Sequence, residues 1–481
     1  MLTWLDIVNL TLTHLEVLTL IYFLLFNGFG TLLFISAVWD MLQHMRRIRG
    51  EDLVGVLGSQ VAPRISLIAP AYNEAATIQA SVKALLDLAY PALELVVVND
   101  GSKDETMAVL QDAYSLVPVY AIYQRRETIP TKAVRGLYRS PHDPRLLVVD
   151  KENGGKADAL NVGLHMATGE LVCVIDADTL IEHDALPRMV RSFLAYDDVL
   201  AVGATIRLVN GSQIEGVQIK APRVPRRALA GFQVVEYLRA FLAGRLGWNR
   251  LWGNLIISGA FGLFRRQAML DIGGYASDTV GEDMELVLRL RRHGYETKGP
   301  HRIDFIPNPA GWTEAPESLR VLGHQRDRWH RGLTDVMWRH RRVLFNPRYG
   351  AMGLLVYPYF LFFELLAPVI ETVGVLGLAV GIMIGQLNLP FAIPFFMAAY
   401  GYGLVLSMYA LVLEEMSLHR YTSLQDHLLL LLWTLLEPLG YRQLTVIWRL
   451  RGLIKFLRGR TDWGAMQRRG FQALGSPSKA P

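Results

Sequence analysis

The chain has 481 residues, enough for two or three domains, of which 51% are hydrophobic and only 19% charged. Soluble domains average about 25% charged residues, so the composition argues against a purely cytosolic enzyme, and 10% aromatic residues exclude a disordered chain. The lone cysteine, Cys173, excludes a disulfide framework and a cysteine-based zinc site. The net charge of +5 reads as positive flanks beside membrane segments, and no nucleic-acid partner is expected.

The first apolar stretch, residues 17–39, carries no charge and is long enough to span, since about 20 residues cross a bilayer. Asp6 and Glu16 precede it, and Arg46, Arg47 and Arg49 follow, so the N-terminus is expected outside and Met45 onward in the cytoplasm. The run exceeds the about 7–15 residues of a signal-peptide core and no small-x-small cleavage site follows, which predicts an anchor.

From Glu51 to about residue 350, short apolar runs alternate with charge, as in a soluble α/β domain. Residues 65–69 read as a strand ending at Pro70-Ala71-Tyr72-Asn73-Glu74, followed by a helix over 75–88. A second strand, 93–98, runs into Asn99-Asp100-Gly101-Ser102-Lys103-Asp104; strands at 118–122 and 145–149, a helix over 156–167 and a strand at 171–175 follow. This alternation predicts a parallel sheet with crossovers on both faces, whose ligands sit at the carboxyl ends of the strands.

Several polar motifs fall at those ends. Asp100 can accept hydrogen bonds from a base or ribose, or cap the next helix. Asp176-Ala177-Asp178 ends a strand, and residues two apart in an extended chain face one side. Two carboxylates so placed suit a divalent cation that also takes diphosphate oxygens. Gly154-Gly155-Lys156 opens a helix whose free amides, with the lysine, suit a diphosphate; an ordinary glycine turn is the alternative. The spacing is not that of a P-loop. Gly281-Glu282-Asp283 starts another helix, where a carboxylate stays ionised as a general base requires, although either acid could simply cap the helix. Gln325-Arg326-Asp327-Arg328-Trp329 sets an amide, a guanidinium and an indole on about one helical turn. Sugar rings stack on tryptophan and arginine pairs with a departing diphosphate, but such a string also suits a charged interfacial helix. Residues 130–144, with Lys132, Arg135, Arg139 and His142, take no role from this pattern.

Three further apolar segments follow, 352–385, 391–413 and 428–448. The first carries Pro358, Glu364, Pro368 and Glu371. Its carboxylates should face protein or a polar cavity rather than lipid. At two helical turns apart they are expected to share one face and line a sugar conduit, with pairing to arginine as the alternative. Three crossings would leave the tail outside. However, Arg442, Arg449, Arg451, Lys455, Arg458 and Arg460 favour a cytoplasmic tail, with 428–448 bent and partly interfacial around Pro438-Leu439-Gly440.

Taken together and in this order across residues 65–330, Tyr72-Asn73-Glu74, Asn99-Asp100-Gly101-Ser102, Asp176-Ala177-Asp178, Gly281-Glu282-Asp283 and Gln325-Arg326-Asp327-Arg328-Trp329 resemble family 2 membrane glycosyltransferases. That group holds the cellulose, hyaluronan, chitin and poly-N-acetylglucosamine synthases, and the look is nearest to bacterial exopolysaccharide synthases of the last type. The resemblance implies a GT-A-like (Rossmann-like) α/β cytoplasmic domain with a mostly parallel sheet, inserted between an N-terminal and several C-terminal transmembrane helices. The expected division is an anchor at 1–44, a catalytic domain at 45–350 with acceptor-site and interfacial helices at 315–350, a membrane region at 351–448 and a basic tail at 449–481.

It also implies roles. Tyr72, Glu74 and Asp100 would hold uridine, with Lys156 and Asp176 near the nucleotide. Asp178, with Asp176, would bind Mg2+ or Mn2+ on the diphosphate. Asp283 would be the base, and Gln325, Arg328 and Trp329 would frame the acceptor and leaving group. Gly281 stands where the family often has threonine or serine, which removes a hydroxyl contact and leaves the base. Only a short basic stretch follows Trp448, which gives no support for direct cyclic-dinucleotide control. The expected activity is inverting, processive polymerisation from a UDP-sugar into a β-linked exopolysaccharide at the bacterial inner membrane, with membrane lipids and accessory export subunits as partners. Transfer of one sugar to a membrane lipid is the alternative. A nucleotide-sugar sensor would be expected to lack Asp283 or the Asp-x-Asp pair, and this chain has both.

Overall fold

The computed structural model describes residues 4–48, 62–120, 127–176, 179–215, 218–386 and 388–460. The chain divides into two compact units. One takes the N-terminal helix as far as Leu42, Arg226–Leu251 and the chain from Pro316, and the other takes Gln43–Pro225 and Trp252–Ala315. Residues 226–251 and 316–350 thus group with the helices.

The second unit is built on a ten-stranded sheet. Its strands are β1 (Ile65–Ala71), β2 (Leu93–Asp100), β3 (Val117–Pro118), β4 (Val134–Arg139), β5 (Leu146–Lys151), β6 (Leu171–Ile175), β7 (Leu180–Ile181), β8 (Val199–Leu208), β11 (Phe261–Arg265) and β12 (Arg302–Thr313); β9 (Gln213–Glu215) and β10 (Gln218–Ala221) form a separate hairpin. The order is β3-β4-β5-β2-β1-β6-β11-β8-β12-β7. β5, β2, β1 and β6 are parallel, as their unbroken Val/Ile/Leu runs require of strands covered on both faces. Beyond them β11 runs antiparallel to both neighbours, so the sheet is mixed around a parallel core. The strand expected at 118–122 is only Val117–Pro118 among the described residues. Helices Lys156–Met166 and Glu282–Thr297 close one face, where Ile68, Val96, Val149, Leu160, Val172 and Leu286 share one core. Gly163 permits that approach: a Cβ there would lie 2.3 Å from Ile68 Cγ2.

The helical unit begins with the greater part of Trp4–Ile48, a 45-residue helix that contains the expected anchor. Ile7–Arg47 and Leu389–Met416 are each long and apolar enough to cross a membrane, and Met352–Leu365 with Ala367–Met383 forms a third candidate bent by 43°. The bend has a cause in the sequence. Pro368 has no N–H to give the carbonyl four residues back, and its ring crowds that carbonyl. This is the Glu364 carbonyl, which accepts a hydrogen bond from Arg449 instead. The segment expected around 428–448 is two helices, Leu424–Leu436 and Tyr441–Leu457, broken at Pro438–Gly440, with Gly440 at φ +92°.

The ion-pair alternative describes Glu364 and Glu371 in place of the conduit expected of them. Glu371 meets Arg442 at 3.1 Å and Glu364 meets Arg449 at 3.7 Å, both arginines from Tyr441–Leu457. Farther along that helix, Arg451 and Lys455 meet the buried Asp327 at 3.0 and 2.5 Å. These cations answer carboxylates, so they weigh less as a topology signal than a count of basic residues suggests.

Breaking a buried ion pair on one side leaves an uncompensated charge, at about 3–5 kcal/mol. Glu371→Leu is therefore expected to lower thermal stability in detergent sharply, and Glu371→Leu/Arg442→Leu to recover most of the loss. Equal losses in the single and double variants would remove the pair from the account of this fold.

Candidate functional site

The site starts from a strand register. β2 and β5 pair with Asp100 opposite Lys151, each the last residue of its strand. Lys151 is fully buried, and its ammonium lies 2.5 Å from Asp100 Oδ1 and 2.8 Å from Asp158 Oδ1. A buried lysine stays charged only when paired, and two carboxylates supply that here. Asp100, 3% exposed, also accepts from the Gly154 and Gly155 amides at 3.0 and 2.8 Å and from Asn153 Nδ2 at 3.2 Å. Both its oxygens, expected to serve uridine, are thus engaged by the chain itself, which wraps residues 152–155 around them. The wrap needs glycine. A Cβ on Gly101 would lie 2.6 Å from the Asn153 amide nitrogen, and one on Gly154 would lie 2.5 Å from Asp158 Cγ. Residues 130–144 brace this turn: the Lys132 amide donates to Asp158 at 3.0 Å, and the Ala133 carbonyl accepts from Glu152 at 2.9 Å.

From that turn the helix Lys156–Met166 starts, and its first residue reaches the second cluster. Lys156 Nζ lies 2.5 Å from Asp176 Oδ1 at the end of β6, donates to the Gly259 carbonyl at 3.1 Å, and sits 3.9 Å from Glu282. Asp283 is half-buried in the first turn of its helix. Its Oδ2 accepts from the Gly259 amide at 3.2 Å and its Oδ1 from the Met284 amide at 2.8 Å. Burial pushes the Lys156 ammonium down, but the carboxylates of Asp176, Glu282 and Asp283 outweigh it, and its pKa is raised. The lysine is therefore a fixed cation at the N-terminus of its helix. Burial, with Glu282, Asp283 and Asp176, holds the Tyr275 phenol well above its usual value, so that group stays protonated.

Three carboxylates around one ammonium leave an excess of negative charge here. Among the described residues no group of three His, Cys, Asp or Glu is poised for a metal; Asp176 is one expected ligand, and its expected partner Asp178 lies outside the described residues.

The loops after β1 and β2 are joined side by side. Asn73, at φ +57°, accepts from the Lys103 amide at 2.8 Å, and its own amide donates to Ser102 Oγ at 3.0 Å. The amides of Glu74 and Ala75 donate to Thr106 and Asp104 at 2.9 and 3.1 Å. Tyr72 is left exposed, and Glu74 Oε2 accepts from Thr77 at 2.9 Å.

Gln325, Arg328 and Trp329 belong to the helical unit, on Leu319–Arg339. Trp329 is exposed, with the Arg326 guanidinium 4.3 Å from its ring centre; Arg326 is itself held by Glu236 at 2.7 Å, to which Tyr441 also donates at 2.6 Å. Gln325 Oε1 is buried without a hydrogen-bond donor among the described residues.

Sequence reasoning missed Lys151, Asp158 and Asn161. Asn161 bonds both backbone groups of Tyr275, donating at 2.9 Å and accepting at 2.7 Å, and a Cβ on Gly274 would lie 2.4 Å from its Oδ1. The available signal was a lysine ending the apolar run Leu146-Leu147-Val148-Val149.

Two family profiles match this chain: "Glycosyl transferase family 2" over residues 66–273, and "Glycosyl transferase family group 2" over residues 171–436. The chain is 31% identical over 278 residues to a poly-beta-1,6-N-acetyl-D-glucosamine synthase of Staphylococcus epidermidis, covering 57% of this chain and 56% of that protein. It is 29% identical over the same length to the synthase of that name from Staphylococcus aureus strain COL. The chain thus spans about half the length of the curated relatives it matches. Among solved structures, a mannosyltransferase from Pyrobaculum calidifontis in complex with GDP-Man and Mn2+ shares the fold, with a TM-score of 0.54 at 20% identity over 90% of this chain and 99% of that one.

Lys151→Met leaves Asp100 and Asp158 buried without their cation, so stability should fall by about 3–5 kcal/mol. The loss should be visible as a lower midpoint in a thermal melt. An unchanged midpoint would show that the turn does not depend on this lysine.

Proposed function

The chain belongs to glycosyl transferase family group 2, and from that premise we propose that it is an inverting, processive, metal-dependent synthase that polymerises a sugar from a UDP-sugar into a β-linked exopolysaccharide. One observation carries the reading: Asp283, Asp176 and Glu282 gather around Lys156 where a parallel strand ends and two helices begin. The named relatives, poly-N-acetylglucosamine synthases, favour a polysaccharide product.

In this mechanism Tyr72 and Glu74 bound the uridine. Asp100 acts on the donor site through Lys151 and the turn it holds. Lys156 offers its ammonium to the diphosphate. Asp283 takes the proton of the acceptor hydroxyl as that oxygen bonds to the anomeric carbon; the bond from this carbon to the diphosphate oxygen breaks, and UDP leaves with the electron pair. A single displacement turns an α-linked donor into a β-linked product. Asp176 with Asp178 would hold Mg2+ or Mn2+, which when bound neutralises diphosphate charge. Gln325, Arg328 and Trp329 frame the acceptor and leaving group.

The helices long enough to cross a bilayer support a membrane enzyme, which we place in the bacterial inner membrane with its catalytic unit in the cytoplasm. Its polymer is fed into the membrane, with accessory export subunits as partners.

Membranes holding the enzyme, incubated with separate radiolabelled UDP-sugars, should yield a long product from one donor. A single sugar on an extractable lipid would establish lipid glycosylation instead. Asp283→Asn should reduce transfer by about two to four orders of magnitude and leave UDP binding, read by calorimetry, near wild type. Turnover close to wild type would remove Asp283 as the base.

A further inference from the structure

The last residues of Leu319–Arg339 and the segment from there to the helical turn at Met352 carry charge and aromatic surface that the transfer reaction does not use. It is short and firmly held. The Phe345 amide donates to the Gly353 carbonyl at 3.0 Å, Tyr357 donates to the Met337 carbonyl, and a Cβ on Gly353 would lie 2.3 Å from the Asn346 carbonyl oxygen. The segment therefore folds back on the start of the apolar helix as one rigid piece.

Its exposed groups are of two kinds. Trp338 and Phe345 are 62% and 58% exposed, and the Phe345 ring lies 6.4 Å from that of Phe362, itself on the outer face of the apolar helix. Phe345 sits at φ +53°, a region a bulky side chain seldom adopts. That conformation, fixed by the clamp to Gly353, turns the ring outward. The second kind is cationic. Arg341, Arg342 and Arg348 are exposed, and among the described residues none of them is ion-paired. Arg341 stacks 4.9 Å from the Trp338 ring centre and donates to the Trp338 carbonyl at 3.0 Å, and neither contact supplies an anion. The contrast with Tyr441–Leu457 is direct, since four cations there each face a carboxylate. The neighbouring Arg339 also has its carboxylate, Asp335, at 2.9 Å.

We propose that residues 338–350 are a docking surface for the anionic headgroups of membrane phospholipids. The guanidiniums of Arg341, Arg342 and Arg348 take phosphate oxygens, while Trp338 and Phe345 enter the headgroup–acyl boundary in line with Phe362. Charge complementarity selects the occupant: unpaired guanidiniums bind phosphate through forked hydrogen bonds, and aromatic rings beside them prefer a surface that is apolar on one side and wet on the other. The inference rests on the reading that the helix from Met352 enters a membrane.

The test uses the full chain reconstituted into vesicles of equal phosphatidylcholine and phosphatidylglycerol, then extracted in mild detergent, with retained lipid measured by mass spectrometry. Wild type should retain phosphatidylglycerol in excess, and added salt should weaken that excess. Arg341→Gln/Arg342→Gln/Arg348→Gln should cut the excess by on the order of tenfold. Arg339→Gln, which touches an already paired cation, should change it less than about twofold. Wild type that floats with the vesicles and shows no phosphatidylglycerol preference overturns the docking surface alone. So does a preference that survives the triple change. A chain that does not float with the vesicles overturns the membrane reading and the proposal with it.

Discussion

A lysine enclosed between two aspartates sets the catalytic half of this protein. The ammonium of Lys151 cannot return to water, so the carboxylates of Asp100 and Asp158 must stay where it is. Asp100 ends one strand, Lys151 ends its neighbour and Asp158 lies in the first turn of the following helix. A strand end 51 residues upstream is therefore pinned to two consecutive elements at one point. The turn threaded between them brings out the Gly154 and Gly155 amides and delivers Lys156 to Asp176. A purely apolar junction would have buried as well, but it could not have fixed the path of the turn, because apolar contacts are non-directional.

The helical unit solves a related problem with the same chemistry. Its apolar helices carry carboxylates at Glu364, Glu371 and Glu437, and each has an arginine on a different segment: Arg449, Arg442 and Arg239. Helices that share only apolar contacts can slide and rotate past one another. Ion pairs at separate heights fix the register of Tyr441–Leu457 and of Arg226–Leu251 against their neighbours.

What could be read from the sequence divides along this same line. The places of Asp176 and Asp283 were legible because they are local: one follows an apolar strand, the other begins a helix, and both positions are visible within a few residues. The parallel core was legible from unbroken apolar runs. The antiparallel strand β11 was not, since nothing in Phe261–Arg265 records its direction. Lys151 was missed because its partner Asp100 stands 51 residues away and only the register joins them. Glu364 and Glu371 were expected to face a conduit because their arginines lie on a helix that the sequence offered as a topology signal. Local chemistry survives in one dimension, whereas pairing across elements does not.

The helix Lys156–Met166 holds the turn before it through Asp158 and the loop preceding Asp283 through Asn161, three residues apart on one rigid body that also carries Lys156. Both halves of the site are thus gauged from a common reference. A shift of this helix against the sheet would displace Lys156 and the Tyr275 loop together, so their separation is conserved to first order. Their spacing is shielded from just those small sliding motions that packed helices undergo most readily, and its precision need not be inherited from the rigidity of the whole fold.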